Sequence, residues 1–319
     1  MLNDSLKEIR DSNYTQEEAP LVSVATIAYN VENYIAEAIE SVLNQQAYFK
    51  VELVIGEDCS TDSTREVVKA YQQKYPHIIR ILEHKNNLGL TPNSVATQNA
   101  CKGKYIALLD GDDFWTDPKK LQKQIGFLEQ YPEYAGCAHQ SEIIRGSKEF
   151  HIKMFGETSD ANYELKDTLS HRKFHTSSLV YRKEIWNKTG GIPPTISSNE
   201  RAIYPMVASF GKIKYFKDNM CVYRLAPTGL NSRISTKELE TDLNMLPWLK
   251  KINLSFPVYR FRSFLHFCMF TYPAKVSRTH LIKHYFNFVW FSFSYFPKNL
   301  KDAKFATQEF FRILKRDLF

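Results

Sequence analysis

The stretch Lys104–Pro118, KYIALLDGDDFWTDP, decides the fold. Its first half, Tyr105-Ile106-Ala107-Leu108-Leu109, is a short unbroken apolar run with the length and composition of a strand buried in a parallel sheet. It stops at Asp110-Gly111-Asp112-Asp113. Carboxylates crowded at the end of a buried strand lose hydration and repel one another unless a cation joins them. Mg2+ and Mn2+ take oxygen ligands and often share them with a diphosphate. Gly111 lets the backbone turn tightly and leaves room for a ligand. A purely structural alternative also fits: an acidic turn in which Asp117 caps a helix that has Pro118 at its first position. The flanking chain bears on the choice.

Toward the N-terminus, Leu21–Tyr29 (LVSVATIAY) is another apolar run and predicts a first buried strand. Asn30 is placed to cap a helix over Val31–Gln46, whose Ile35, Ala38, Ile39, Val42 and Leu43 follow helical spacing. Val51–Gly56 predicts a second strand, ending in Glu57-Asp58-Cys59-Ser60-Thr61-Asp62, and a helix Ser63–Tyr75 follows. Ile78–Glu83 predicts a third strand. A loop Lys85–Leu90 with Asn87 and Gly89 then leads to a helix from Pro92 to about Cys101. This alternation predicts an α/β fold with a parallel sheet covered by helices on both faces. Ligands of such sheets bind outside the strand carboxyl ends, so Tyr29-Asn30, Glu57-Asp58 and Asp110–Asp113 should converge. No GxGxxG follows the first strand, which argues against a dinucleotide site.

Toward the C-terminus the pattern predicts a helix Pro118–Tyr131 and a strand Tyr134–Ile144. Residues 146–172 are polar and read as an irregular, lid-like segment. Further strands are expected at Thr176–Tyr181, Lys212–Phe216 and Met220–Leu225, with a helix Arg201–Phe210 ended by Gly211. From Thr236 onward the pattern is of aromatic-rich helices broken at Pro247, Pro257, Pro273 and Pro297.

The chain has 319 residues, 43% hydrophobic and 24% charged, with a net charge of +7, as a soluble globular protein would. Residues 240–319 hold thirteen Lys/Arg against five Asp/Glu, so the cationic excess is C-terminal. The basic residues are dispersed and accompany no recognition motif, which argues against nucleic acid. Cys59, Cys101, Cys137, Cys221 and Cys268 form no ligand or disulfide spacing and read as reduced core thiols of a cytosolic protein. The first twenty residues lack the apolar core of a secretory signal. The aromatic run His284–Pro297 falls short of the ~20 apolar residues that span a bilayer.

Four blocks, in order, resemble the inverting glycosyltransferases of family 2, which have the GT-A fold. VSVATIAYN resembles the opening strand and its Tyr-Asn turn, and VIGEDCSTDST the Asp-Asp-Gly-Ser-Thr-Asp nucleotide turn. NNLGL with NACKGKYIALLDGDDFW resembles the loop leading into the metal-binding acidic motif. NERAIYPMVASFGKIKYF followed by VYR resembles the acceptor-side block that carries the base. The resemblance covers about residues 20–230. It implies a GT-A domain over 20–235; residues 1–19 read as a polar leader, and residues 236–319, outside the strong resemblance, as a basic, aromatic-rich helical region.

By resemblance, Ala28, Tyr29, Asn30, Glu57, Asp58, Asn87, Asp110, Gly111 and Asp112 bind the nucleotide-sugar. Asp58 would contact the base, usually uracil, and Asp110 would lie near the ribose. Asp112 would ligate Mn2+ or Mg2+ on the diphosphate, with Asp113 supporting the loop and Asp62 capping a helix. Glu200 matches the catalytic base, although the family usually has Asp there. Many members carry a metal-binding His where this chain has Ala226, so His171 or His175 is a candidate substitute. The implied partners are a UDP-sugar and a glycan or lipid-linked acceptor. A catalytically impaired assembly partner and a nucleotidyltransferase are the alternatives. The aromatic C-terminal helices are expected to pack in a core or homodimer interface, or to lie peripherally on the inner face of the cell membrane.

Overall fold

The computed structural model describes residues 7–12, 18–145, 151–225, 234–273, 276–292 and 300–316. Ala226, residues 146–150 of the expected lid and residues 293–299 of the aromatic run lie outside them. Contacts divide the chain into two units. The first comprises 1–168, 172–192 and 206–226, and the second 169–171, 193–205 and 227–319.

In the first unit the elements run β1 (Lys7–Glu8), β2 (Val22–Ala28), α1 (Ile35–Leu43), β3 (Gln46–Ala47), β4 (Val51–Glu57), α2 (Thr64–Lys74) and β5 (Ile79–Glu83). Next come α3 (Leu90–Ala100), β6 (Tyr105–Asp110), β7 (Phe114–Trp115), α4 (Lys120–Gln130), β8 (Tyr134–Arg145), β9 (His151–Phe155) and β10 (Ala161–Tyr163). β11 (Val180–Arg182) and α5 (Lys183–Thr189) follow, then α6 (Asn199–Ala208), which runs from the second unit's segment into the first's, and β12 (Lys212–Leu225).

The main sheet has the order β10-β12-β8-β11-β6-β2-β4-β5, with β7 paired to β12 and β9 to β8. β5, β4, β2 and β6 are mutually parallel, as the four apolar runs require. β11 is antiparallel to both β6 and β8, so the sheet is mixed beyond that point. Val22, Val24, Leu53, Ile55, Tyr105 and Ala107 from the strands pack with Ile35, Ile39 and Leu43 of α1 in one core. β1 pairs with β3, and Ile9 beside it joins that core, so part of the polar leader is structured.

Several expectations are corrected. Asn30 does not cap the first helix: it sits at φ 52°, and α1 begins only at Ile35. The helix expected from Pro118 starts at Lys120, and Asp117 accepts from Lys119 N at 2.8 Å. Within the segment expected to be irregular, His151–Phe155 and Ala161–Tyr163 are strands that pair with β8 and β12, and Leu165–Thr168 is a 3-10 turn. Thr176–Ser178 is a 3-10 turn rather than strand, since Ser178 Oγ bonds back to His175 O at 2.6 Å. The two strands expected at 212–225 are one, β12, with register shifts around Phe216–Cys221. Cys59 is half-exposed rather than a core thiol; the other four cysteines are buried and free.

The second unit holds α7 (Thr236–Glu240), α8 (Met245–Ile252), α9 (Val258–Thr271), α10 (Arg278–Ser292) and α11 (Leu300–Arg316). Its core joins Phe267, Phe270, Leu281, Phe288, Ala306, Phe310 and Ile313. No described helix is long and apolar enough to cross a membrane.

Candidate functional site

Strand register determines where the loops emerge. Ala28 at the end of β2 stands opposite Glu57 at the end of β4, and Ile27 opposite Asp110 at the end of β6. The loops after these strands therefore leave the sheet side by side, where a parallel sheet binds ligands.

The first two loops are stitched together. Asp58 N donates to Ala28 O at 3.0 Å, Asn30 N to Ser60 Oγ at 3.1 Å, and Thr61 N to Asn30 Oδ1 at 2.8 Å. Asp62 accepts from Thr64 N at 3.0 Å in the first turn of α2 and from Glu32 N at 3.1 Å across the gap. Burial works to raise the Asp62 carboxyl, and these N–H bonds outweigh it and hold it below the ordinary range. Cys59, which stands where the resembled motif has Gly, sits at φ 59°, a region that costs an L-residue about 1–2 kcal/mol. Tyr29 is 45% exposed beside these bonds.

Glu57 and Asp58 are both buried yet fully engaged. Glu57 accepts from Ser60 N at 2.7 Å and from Arg65 Nε at 2.5 Å. Burial pushes its carboxyl up, and the Ser60 and Arg65 bonds bring it below the ordinary value. The oxygens of Asp58 accept from Leu88 N at 2.7 Å and Gly89 N at 2.9 Å, and Asn87 Nδ2 donates to Asp58 O at 3.1 Å. Asp58 thus anchors the Asn87–Gly89 loop, and Gly89 at φ 86° makes the turn into α3.

The acidic loop is held from behind. Gly111 N donates to Ile27 O at 3.0 Å, and a Cβ on Gly111 would stand 2.7 Å from that oxygen, so the close approach requires glycine. Asp110 N donates to Ser177 Oγ at 3.1 Å, and Ser177 Oγ donates to Asp113 Oδ2 at 2.6 Å. Arg224 N donates to Asp113 Oδ1 at 2.8 Å, and its Nε to Asp112 O at 3.0 Å. The Arg224 guanidinium also pairs with Glu37 of α1 at 2.5 Å and lies 4.5 Å from the Tyr34 ring centre. Burial, followed by the charges of Asp112 and Asp110, pushes the Asp113 carboxyl well above the ordinary range. Burial raises that of half-buried Asp112 as well, only partly offset by its own backbone and Arg224.

His175 Nδ1 lies 3.4 Å from Asp113 Oδ2, and its ring stacks on Tyr223 at 3.9 Å. Burial holds this imidazole well below its usual value, so it is neutral, and its Nδ1 accepts from Ser177 N at 3.3 Å. Donor atoms of Asp110, Asp113 and His175 all lie within 4.8 Å of one another. Two carboxylates, of which Asp113 is driven toward protonation, beside a neutral imidazole are a donor set that fits a divalent cation such as Mn2+. Asp112 is not in that group. His171, the other candidate, belongs to the second unit, its ring edge-on to Phe264 and Phe267 at 5.6 and 5.3 Å.

Glu200 also belongs to the second unit, in the first turn of α6. That turn is pinned by Asp242, which accepts from Ser197 N and Ser198 N at 3.0 Å each and from Arg201 at 3.0 Å. Ala28, Tyr29, Asn30, Glu57, Asp58, Asn87, Asp110, Gly111 and Asp112 are all carried by the first unit. Sequence reasoning missed Ser177 and the double tie made by Arg224. Arg224 had a signal in Val222-Tyr223-Arg224, whereas Ser177 had none.

A model of glycosyl transferase family 2 matches residues 23–194. An uncharacterized protein of Mycobacterium tuberculosis is 33% identical over 212 residues, 66% of this chain and 60% of that protein. The chain thus spans about 60% of the length of that relative. An uncharacterized glycosyltransferase of Nostoc sp. is 31% identical over 233 residues, 69% of each chain. Among solved structures, S. aureus TarS 1–349 in complex with UDP-GlcNAc superposes with a TM-score of 0.64 at 17% identity, covering 85% of this chain and 80% of that one. The shared architecture is the GT-A α/β fold with a C-terminal helical region.

Proposed function

The chain belongs to glycosyl transferase family 2, and on that premise we propose that it moves a sugar from a UDP-sugar to a glycan or lipid-linked acceptor by a single displacement. The observation that carries this is the strand register setting Ala28, Glu57 and Asp110 side by side, with the acidic loop directly after. We take residues 20–235 as the GT-A domain. Tyr29, Asn30, Asp58 and Asn87 line the nucleotide side of the donor, and Asp110, Gly111 and Asp112 its ribose and diphosphate side.

Glu200 takes the proton from an acceptor hydroxyl as that oxygen attacks the anomeric carbon. The bond from that carbon to the diphosphate oxygen breaks, the nucleoside diphosphate departs with the bonding electrons, and the sugar's configuration inverts. Asp112 would hold a divalent cation, Mn2+ or Mg2+, directly, and Asp113, whose oxygens accept from Ser177 and Arg224, supports the loop. Such a cation supplies charge stabilisation for the leaving diphosphate. A second ligand set, Asp110, Asp113 and His175, is favoured by the clustering of their donor atoms within 4.8 Å.

Calorimetric titration with UDP, with and without Mn2+, tests the assignment on the wild type, Asp112→Ala and His175→Ala. Metal-dependent binding that Asp112→Ala abolishes and His175→Ala spares supports Asp112. The reverse pattern moves the metal to the His175 group. UDP binding indifferent to Mn2+ and to both variants removes the metal from the proposal.

A further inference from the structure

We propose that the exposed faces of α10 and α11 dock on an anionic membrane surface. α10 turns Arg278, Thr279, Ile282, Lys283, Phe286 and Trp290 to solvent, with Phe286 62% and Trp290 74% exposed, while Leu281, His284 and Phe288 are buried on its other side. At helical pitch Ile282, Phe286 and Trp290 form one stripe, four residues apart, with Arg278 and Lys283 along its edges. On α11 the solvent face carries Phe305 and Phe311 among Lys304, Arg312 and Lys315. Ring contacts join the two helices. Phe286 meets Tyr285 at 5.7 Å, Tyr285 stacks on Phe310 at 4.1 Å, and Phe310 meets Phe311 at 5.3 Å.

Charge selects the occupant. α10 has no Asp or Glu, Lys283 is paired with half-buried Glu240 of α7 at 2.6 Å, and on α11 Glu309 is turned back to Arg312 at 2.7 Å, so the described side chains of the two outward faces are aromatics and cations with no fully exposed acid among them. Lys and Arg stems lie along an apolar surface while their heads reach lipid phosphates, and Trp and Phe settle at headgroup depth. A second copy is the poorer fit: a two-fold interface sets a patch against itself, which would bring these cations together. Neither helix is long and apolar enough to span the bilayer, so both would lie on it. No donor-side residue enters this surface, so it stands or falls apart from the transferase chemistry.

The test is sedimentation of the full chain with vesicles of phosphatidylcholine alone or mixed with phosphatidylglycerol, alongside tryptophan emission. Trp115 and Trp186 are buried and Trp248 is half-buried, so Trp290, the exposed ring, is the one whose surroundings a membrane would change most. Binding is expected only to the anionic vesicles, with a blue shift in emission that Trp290→Phe abolishes. Phe286→Ser with Trp290→Ser should lower partitioning by more than about tenfold. Lys304→Gln and Lys315→Gln, which leave every ring in place, should each lower it about fivefold. Equal binding to neutral vesicles, binding insensitive to these variants, or no binding would overturn the proposal. A dimer in solution that the double Ser variant dissolves would assign the face to a second copy instead.

Discussion

Lys120, a residue no motif singled out, is fully buried in the first unit. Its Nζ donates to Gln124 Oε1 at 2.7 Å and stands 3.9 Å from the Trp115 ring centre. With no carboxylate bonded to it among the described residues, burial pulls its ammonium down to about 7 from the usual 10.5. The sign follows directly. Between those values the unfolded chain still holds the proton and the folded chain has released it, so stability rises with pH through that window. The increment is lost as pH falls through about 7. One proton gives a slope of at most about 1.4 kcal/mol per pH unit. Urea unfolding across this range should show a rising stability in the wild type that Lys120→Met flattens. An unchanged slope in the variant would mean that Lys120 stays charged in the fold. Nothing in the sequence distinguished it from a surface lysine at a helix start, because Trp115, which lies against its ammonium, sits on a strand, β7, that was not foreseen.

Elements were legible in proportion to how far apolar periodicity built them. β2, β4, β5 and β6 stand within a residue or two of the apolar runs that foretold them. α3 is the opposite case. Its buried side is Thr91, Asn93, Ser94, Thr97 and Gln98, so no apolar stripe marks the face that packs on the sheet. Hydrogen bonds do that work: Asn93 Nδ2 donates to Gly56 O at 2.9 Å, and Tyr181 Oη to Gln98 Oε1 at 2.6 Å. Gly56 is what lets the helix approach, since a Cβ there would overlap Thr97 Oγ1 and Asn93 Oδ1. Gly56→Ala should therefore cost about 1–3 kcal/mol in chemical denaturation, as overpacking does. A loss near zero would show that α3 slides without penalty. β11, β12 and the turn at Thr176 were misjudged for a related reason: serine hydroxyls and register shifts set their bounds, and neither follows a period of two.

At the scale of the whole molecule, the residues assigned to donor and base fall in different units: Asp58, Asp110 and Asp112 in the first, Glu200 in the second. The donor side was readable because every acidic loop follows an apolar strand, and a parallel sheet sends such loops to one edge. Glu200 was readable only by resemblance, since a lone carboxylate at a helix start is ordinary. Its support, Asp242 bonded to Ser197, Ser198 and Arg201, comes from 42 residues further on and had no sequence signal. Under the proposed roles the base is separable from donor binding. Glu200→Gln keeps the shape and removes the proton acceptor, so turnover should fall by about 10²–10⁴, the usual worth of general-base catalysis. UDP affinity by calorimetry should stay within about twofold, because the proposed role of Glu200 is on the acceptor hydroxyl and not on the donor. Asp58→Ala should do the converse and weaken UDP first, by releasing Leu88 and Gly89 as well as any contact with the base. If Glu200→Gln leaves turnover intact, the base lies elsewhere. If it weakens UDP as much as Asp58→Ala does, Glu200 acts on the donor and not on the acceptor hydroxyl.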